Sequence, residues 1–287
     1  MNSKTLVLLR TILLSTSGRN VLKYSKDKKR RGRAIAAYVG KMILYICLAV
    51  YSILMAVGYG MTGLANSIPA ICILIITLLS FVFTLLKTNG YLFGFKEYDM
   101  LVSMPIEVKS IVACKFLYMY LVSLPWFACI SFALLIGYGI YAQPALYVYL
   151  FWIMLTLVTP LLPTVIASLI GALVAKLGSG FRFKKAAQTL FMFVFVMFAM
   201  ALSFSLQFII EYADEKSSMK EVLSTSSNLF QRIEDYYPPM KWFDRAIAEG
   251  NVVCFFLFFA VSLLEFFVFY QLVARSYVRI NSRLTSH

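Results

Sequence analysis

Few side chains in this 287-residue chain are suited to covalent or acid–base chemistry. The single histidine is His287, so neither a histidine-based triad nor an HExxH zinc site can be assembled. The five cysteines, Cys47, Cys72, Cys114, Cys129 and Cys254, lie in or at the edge of apolar runs with no CxxC pair, which reads as packing rather than metal binding or disulfides. No GxxxxGK[ST] segment exists to cradle nucleotide phosphates. Chemistry of another kind remains: Glu265 is the lone carboxylate inside a long apolar run, and Pro160 and Pro163 interrupt another. A carboxylate there costs about 2.5–3.5 kcal/mol to insert, so it must face the bundle interior or a polar cavity. Two prolines remove two backbone donors and should kink or unwind their helix. A binding path with a hinge fits these residues, and an enzyme does not.

The elements that hold them follow from composition. Hydrophobic residues make up 61% of the chain, charged residues 14%, and the mean hydropathy is +0.80. A soluble domain is roughly 45–50% apolar and about 25% charged. Intrinsic disorder needs low hydrophobicity. The chain therefore reads as an all-α polytopic membrane protein, because strand edges cannot face lipid and the runs lack barrel-like alternation. A span needs about 20 apolar residues. Six are predicted, near 42–60, 68–86, 113–137, 146–174, 188–210 and 251–274. Breaks between them fall at Gly58–Pro69 and near Gly137, Gly139, Gln143 and Pro144.

The net charge of +14 is distributed unevenly. In a six-span arrangement 22 of the 27 basic residues fall on one side, in 1–41, 87–115, 176–185 and 275–287. The other side keeps five basic residues and eight acidic ones, all in 211–250. The positive-inside rule then puts both termini and the loop 87–112 in the cytoplasm of a cell membrane. The basic surface suits anionic lipids rather than nucleic acid. Residues 3–15 are too short to span and fit a helix in the membrane interface, with Leu6, Leu9 and Leu13 opposite Lys4, Thr11 and Ser15. Within 211–250, Tyr236, Tyr237, Trp242 and Phe243 suit an outer aromatic belt. Pro238 and Pro239 precede a short amphipathic helix over 241–248, which reads as an extracytoplasmic gate or cap together with Trp242.

The loop after the second span is the most informative segment. Glu97–Met104 can form about two helical turns closed by Pro105, with Met100, Leu101 and Met104 on one face and Asp99 and Ser103 on another. Here the chain resembles the membrane subunits of bacterial ABC exporters of the second type. Their cytoplasmic helix reads roughly acidic–x–Asp–x–Leu–x–Ser–x–Pro–Ile, matched by Glu97, Asp99, Leu101, Ser103, Pro105 and Ile106, with Lys115 and Phe116 opening the next span. Two further stretches are similar to that family: Pro160–Pro163 followed by Ala167–Gly171 with the basic loop Arg182–Lys185, and Pro238–Phe243 with Ala246, Gly250 and Asn251. The resemblance implies a coupling helix that docks on a separate cytoplasmic ATPase, which would hold the ATP and Mg. This chain would bind no cofactor or metal of its own. It also implies a second six-span partner, either another copy or the other half of a longer permease, and a hydrophobic or amphipathic cargo moved by alternating access. The rival readings are a non-transporting membrane sensor or immunity protein, and an intramembrane enzyme, for which Glu265 alone is poor material.

Overall fold

A computed structural model describes residues 3–16, 22, 27–61, 63–87, 107–177 and 235–285, and among them all regular structure is helical. The helices are α1 (Ser3–Thr16), α2 (Lys28–Met61), α3 (Ile68–Lys87, entered through a 3-10 turn at Ala65–Ser67), α4 (Val108–Ala142), α5 (Leu146–Val158), α6 (Leu161–Leu177), α7 (Pro238–Ala248) and α8 (Val252–Thr285). Five stretches are long and apolar enough to cross a membrane: Lys28–Met61, Ala65–Leu85, Lys109–Ala142, Leu146–Ile170 and Val252–Val273. The coupling residues Glu97, Asp99, Met100, Leu101, Ser103, Met104 and Pro105 lie outside the described residues. So do the predicted span 188–210 and the loop Arg182–Lys185.

Two predicted breaks fall later than the glycines suggested. α2 runs through Gly58 and Gly60 to Met61, and Gly63 makes the turn with φ +79°. α4 runs through Gly137 and Gly139 and ends at Gln143, with φ 45°. The reason is packing. A Cβ on Gly137 would strike the Ala56 side chain, and one on Gly60 would strike the Tyr141 ring. These glycines let helices approach, as small residues do between membrane helices. α2 and α4 lie parallel in one register: Tyr45 meets Trp126, Ala56 meets Gly137 and Gly60 meets Tyr141 at the same residue offset. Lys41 Nζ sits 5.6 Å from the Tyr45 ring and 5.9 Å from Trp126, a cation–π placement at the edge of the apolar length.

The bundle has two apolar clusters. One centres on Trp152 of α5, enclosed by Ile73 of α3, Phe127 and Leu134 of α4, Phe243 of α7 and Phe258 of α8. The other joins Leu9 of α1 to Ile111 and Phe116 of α4 and to Phe269 and Val273 of α8. There the Tyr270 hydroxyl donates to the Lys109 carbonyl at 2.9 Å. α1 thus docks where α4 begins, through Leu8, Leu9, Ile12 and Leu13. The ends of α2 and α4 and the start of α5 lie together at the opposite end. Exposed apolar side chains cover the outside, among them Leu44, Tyr51 and Leu54 of α2 and Val253, Phe256 and Leu264 of α8. A surface of that kind is stable against lipid or another apolar protein face, not against water.

Candidate functional site

The interrupted helix comes first. α5 ends at Val158, residues 159–160 form a turn, and α6 resumes at Leu161. Pro160 and Pro163 lack the N–H groups that would have reached the carbonyls of Thr156 and Thr159, so the break follows from the sequence. What surrounds it does not. The Pro160 carbonyl accepts hydrogen bonds from the Thr164 hydroxyl at 2.6 Å and the Ser80 hydroxyl at 3.1 Å. Ser80 and Thr84 stand 3.3 and 3.2 Å from Thr164 Oγ1. One turn above, the Tyr120 hydroxyl donates to the Leu157 carbonyl at 2.6 Å. The break is therefore tied to α3 and α4 by hydroxyls, and Thr77, Ser80 and Thr84 fall on one stripe of α3.

The second irregularity is α7. It starts at Pro238, whose missing N–H costs nothing at a first helical position. It ends at Ala248, and Gly250, with φ +63°, lets the chain reverse against the Tyr147 hydroxyl. Asn251 then caps α8, its Oδ1 accepting from the N–H groups of Val253 at 3.0 Å and Cys254 at 3.3 Å. α7 and α8 form an antiparallel hairpin, with Phe243 against Phe258 (5.9 Å) and Trp152 (6.1 Å). Pro239, Met240, Phe243, Ala246 and Ile247 are buried among α3, α5 and α8. This corrects the aromatic-belt reading: Phe243 is 0% exposed and Tyr237 joins the core edge, Trp242 is half-buried, and only Tyr236, 91% exposed, is free to reach an interface. The amphipathic pattern was legible, but which surface took the apolar side depended on a groove between three helices. The outward face carries Lys241 and Arg245, paired with Asp235 at 3.3 Å and Glu249 at 3.9 Å. Ion pairs there require water or protein beside them, not hydrocarbon.

α7 is about 16 Å long, so its N-terminal end reaches roughly halfway along the apolar length of α8. At that depth Tyr237 stands beside Thr77 of α3 and close enough to Glu265 of α8 to feel its charge. Burial pushes the Tyr237 phenol up to about 12, the Thr77 hydroxyl pulling down and the Glu265 carboxylate adding to the rise. Tyr237 is thus a neutral hydroxyl at every physiological pH. Glu265 is half-buried on the inward edge of α8, one turn from Ser262, which is 1% exposed and whose hydroxyl has no hydrogen-bond partner among the described residues. The break at Thr159–Pro160 and the deep end of α7 occupy the same level, since Trp152 meets Phe243 and the two helices run in opposite directions.

A third polar group is fully internal. Trp152 Nε1 donates to Ser131 Oγ at 2.8 Å, Ser131 and Thr156 hydroxyls are 2.6 Å apart, and Thr156 donates to the Trp152 carbonyl at 2.8 Å. Cys72 Sγ approaches Ser131 at 3.6 Å. Every donor in this closed circuit is used, and it reads as structural glue. Of the residues singled out from sequence, Pro160 and Glu265 lie at about one depth, Pro163 stands in the first turn of α6, Pro238 and Pro239 begin the helix that reaches that depth, and Trp242 is half-buried about one turn along it. Ser80, Thr84, Thr164 and Thr77 were missed, and Tyr237 was read as part of an aromatic belt; the spacing of hydroxyls at 77, 80 and 84 in an otherwise apolar run was the available signal. No family model and no curated protein matches this chain.

Proposed function

We propose that the chain is the transmembrane permease subunit of an ATP-driven exporter, moving a hydrophobic or amphipathic molecule by alternating access. One observation supports it above the others: a broken helix and an inserted short helix meet at the same depth of an apolar bundle. Transporter sites are built from such discontinuous helices, because backbone groups freed at the break can meet a ligand and a short break lets one half rock against the other. In this reading Pro160 and Pro163 form the hinge. α7, with Pro238, Pro239 and Trp242, caps the path from the extracytoplasmic side. Its ion-paired face borders an outward vestibule.

Six spans, both termini in the cytoplasm and a second six-span bundle complete the arrangement. The joint location of α1, the start of α4 and the late part of α8 at one end supports it, as do the basic residues Lys28–Arg33 and Lys109 on that side of α2 and α4. The cytoplasmic segment Glu97–Pro105 supplies the dock for a separate ATPase, which carries ATP and Mg. The test is co-purification of an ATPase from native membranes. The double variant Asp99→Ala plus Leu101→Ala is expected to lose the ATPase while keeping the bundle intact. Full ATPase retention in that variant overturns the coupling assignment. Tolerance of that variant in cells, together with loss of function on disrupting 211–250, would favour a sensor or immunity role instead.

A further inference from the structure

We infer that the deep end of α7 forms a binding site for a lipophilic organic cation, with Glu265 as its counter-charge. The inference rests on the permease reading only for what the bound molecule does, namely serve as cargo. The binding itself rests on the site.

Three observations converge. Glu265 is the only Asp or Glu within the five apolar stretches, and among the described residues it forms no ion pair. A carboxylate at that depth is costly unless something offsets its charge. The N-terminus of α7, capped by Tyr237 with no side-chain hydrogen bond, offers only about half a unit of positive charge. A full balancing charge is therefore still wanted. Second, Ser262 sits one turn away on the same inward face, almost wholly buried, with a hydroxyl that no described atom satisfies. Buried hydroxyls are normally paired, so this one is left short of a polar partner on the face that carries Glu265. Third, the side chains around Glu265 on its other flank, Val261, Leu264 and Val268, are exposed and apolar. A molecule with one positive centre and an apolar body fits both halves: its charge at Glu265, its body along that stripe. An inorganic cation would gain nothing from the stripe, and an anion would face the carboxylate.

The experiment uses the full chain in nanodiscs of phosphatidylcholine, without any ATPase, and equilibrium dialysis with tetraphenylphosphonium. Tetraphenylborate, of nearly the same size and opposite charge, is the control. Saturable binding of about one cation per chain is expected, weakened at least tenfold by Glu265→Gln and several-fold by Ser262→Ala, with no saturable binding of the anion. Glu265→Gln keeps the side-chain shape, and an unchanged thermal unfolding midpoint reports that the bundle is intact. Should that midpoint collapse, Glu265→Asp takes its place, with weaker binding again expected. Equal affinity in wild type and an intact Glu265 variant, equal binding of the anion, or no saturable binding overturns the inference. Failure of this test with ATPase association preserved removes the cation site alone. Cation binding with no ATPase partner removes the permease reading and leaves the site.

Discussion

A carboxylate, a phenol and a set of hydroxyls carry the polar character of an otherwise oily interior, and each has a different role. Tyr237 is held neutral by burial. Its folded-state value of about 12 lies above the ordinary value of 10, so the folded form keeps the proton more tightly. That contribution is fully present below pH 10 and is lost as pH rises toward 12. Thermal unfolding in detergent should therefore fall in temperature over that window, and less so in Tyr237→Phe. Ultraviolet difference titration should find fewer tyrosines ionising near pH 10 in the folded protein than after unfolding, and Tyr237→Phe should reduce that shortfall by one. The Trp152 circuit behaves differently. Trp152→Phe keeps the ring but removes the Nε1 donor to Ser131, leaving a buried acceptor short of a partner at a cost of about 1–3 kcal/mol. Chemical denaturation of Trp152→Phe against Ser131→Ala plus Trp152→Phe measures it: the double variant should be no worse than the single.

At the scale of helices, close approach and interruption are the two devices. The α2–α4 contact depends on Gly137, where a methyl group would meet Ala56, whereas Gly58 on the same α2 has open space around it. Gly137→Ala should lower stability by about 1–3 kcal/mol through overpacking. Gly58→Ala should leave it level or raise it by up to about 1 kcal/mol through helix propensity. Unfolding midpoints of the two variants decide this. The break between α5 and α6 is held by Ser80 and Thr164 rather than left loose. Ser80→Ala is expected to loosen α3 from the turn, seen as faster amide exchange at residues 161, 162, 164 and 165, while Pro160→Ala restores one donor and slows it. α7 stays in its groove through Phe243, and Phe243→Ala should cost about 3–5 kcal/mol and expose the hairpin to protease.

For the whole molecule, the predicted arrangement sets which segments share a side of the membrane. Cysteines introduced by Asp99→Cys and His287→Cys should react with a membrane-impermeant maleimide from the same side, and Glu249→Cys from the other. Labelling of Asp99→Cys and Glu249→Cys from one side would overturn the six-span topology. The described bundle already brings α1, the start of α4 and the late part of α8 to one end, and the turn at Gly250 with Tyr147 to the other.

Composition and the length of the apolar runs were sufficient, alone, to specify helices long and apolar enough to cross a membrane, because burying a backbone in lipid leaves no other solution. Proline chemistry placed the break at Pro160, since a missing N–H acts locally, but the short helix expected over 241–248 starts three residues earlier, because Pro238 and Pro239 themselves take its first positions. The lone carboxylate at Glu265 was equally plain. Tertiary structure decided the rest. An amphipathic 11-residue helix can lie on a membrane or insert in a groove, and only the facing surfaces of α3, α5 and α8 chose insertion. Glycines in α2 and α4 read locally as breakers, yet neighbours that need close approach turned them into contact points. Gathering Tyr237, Thr77, Ser262 and Glu265 at one depth needs the register of four separated segments, which no local pattern encodes.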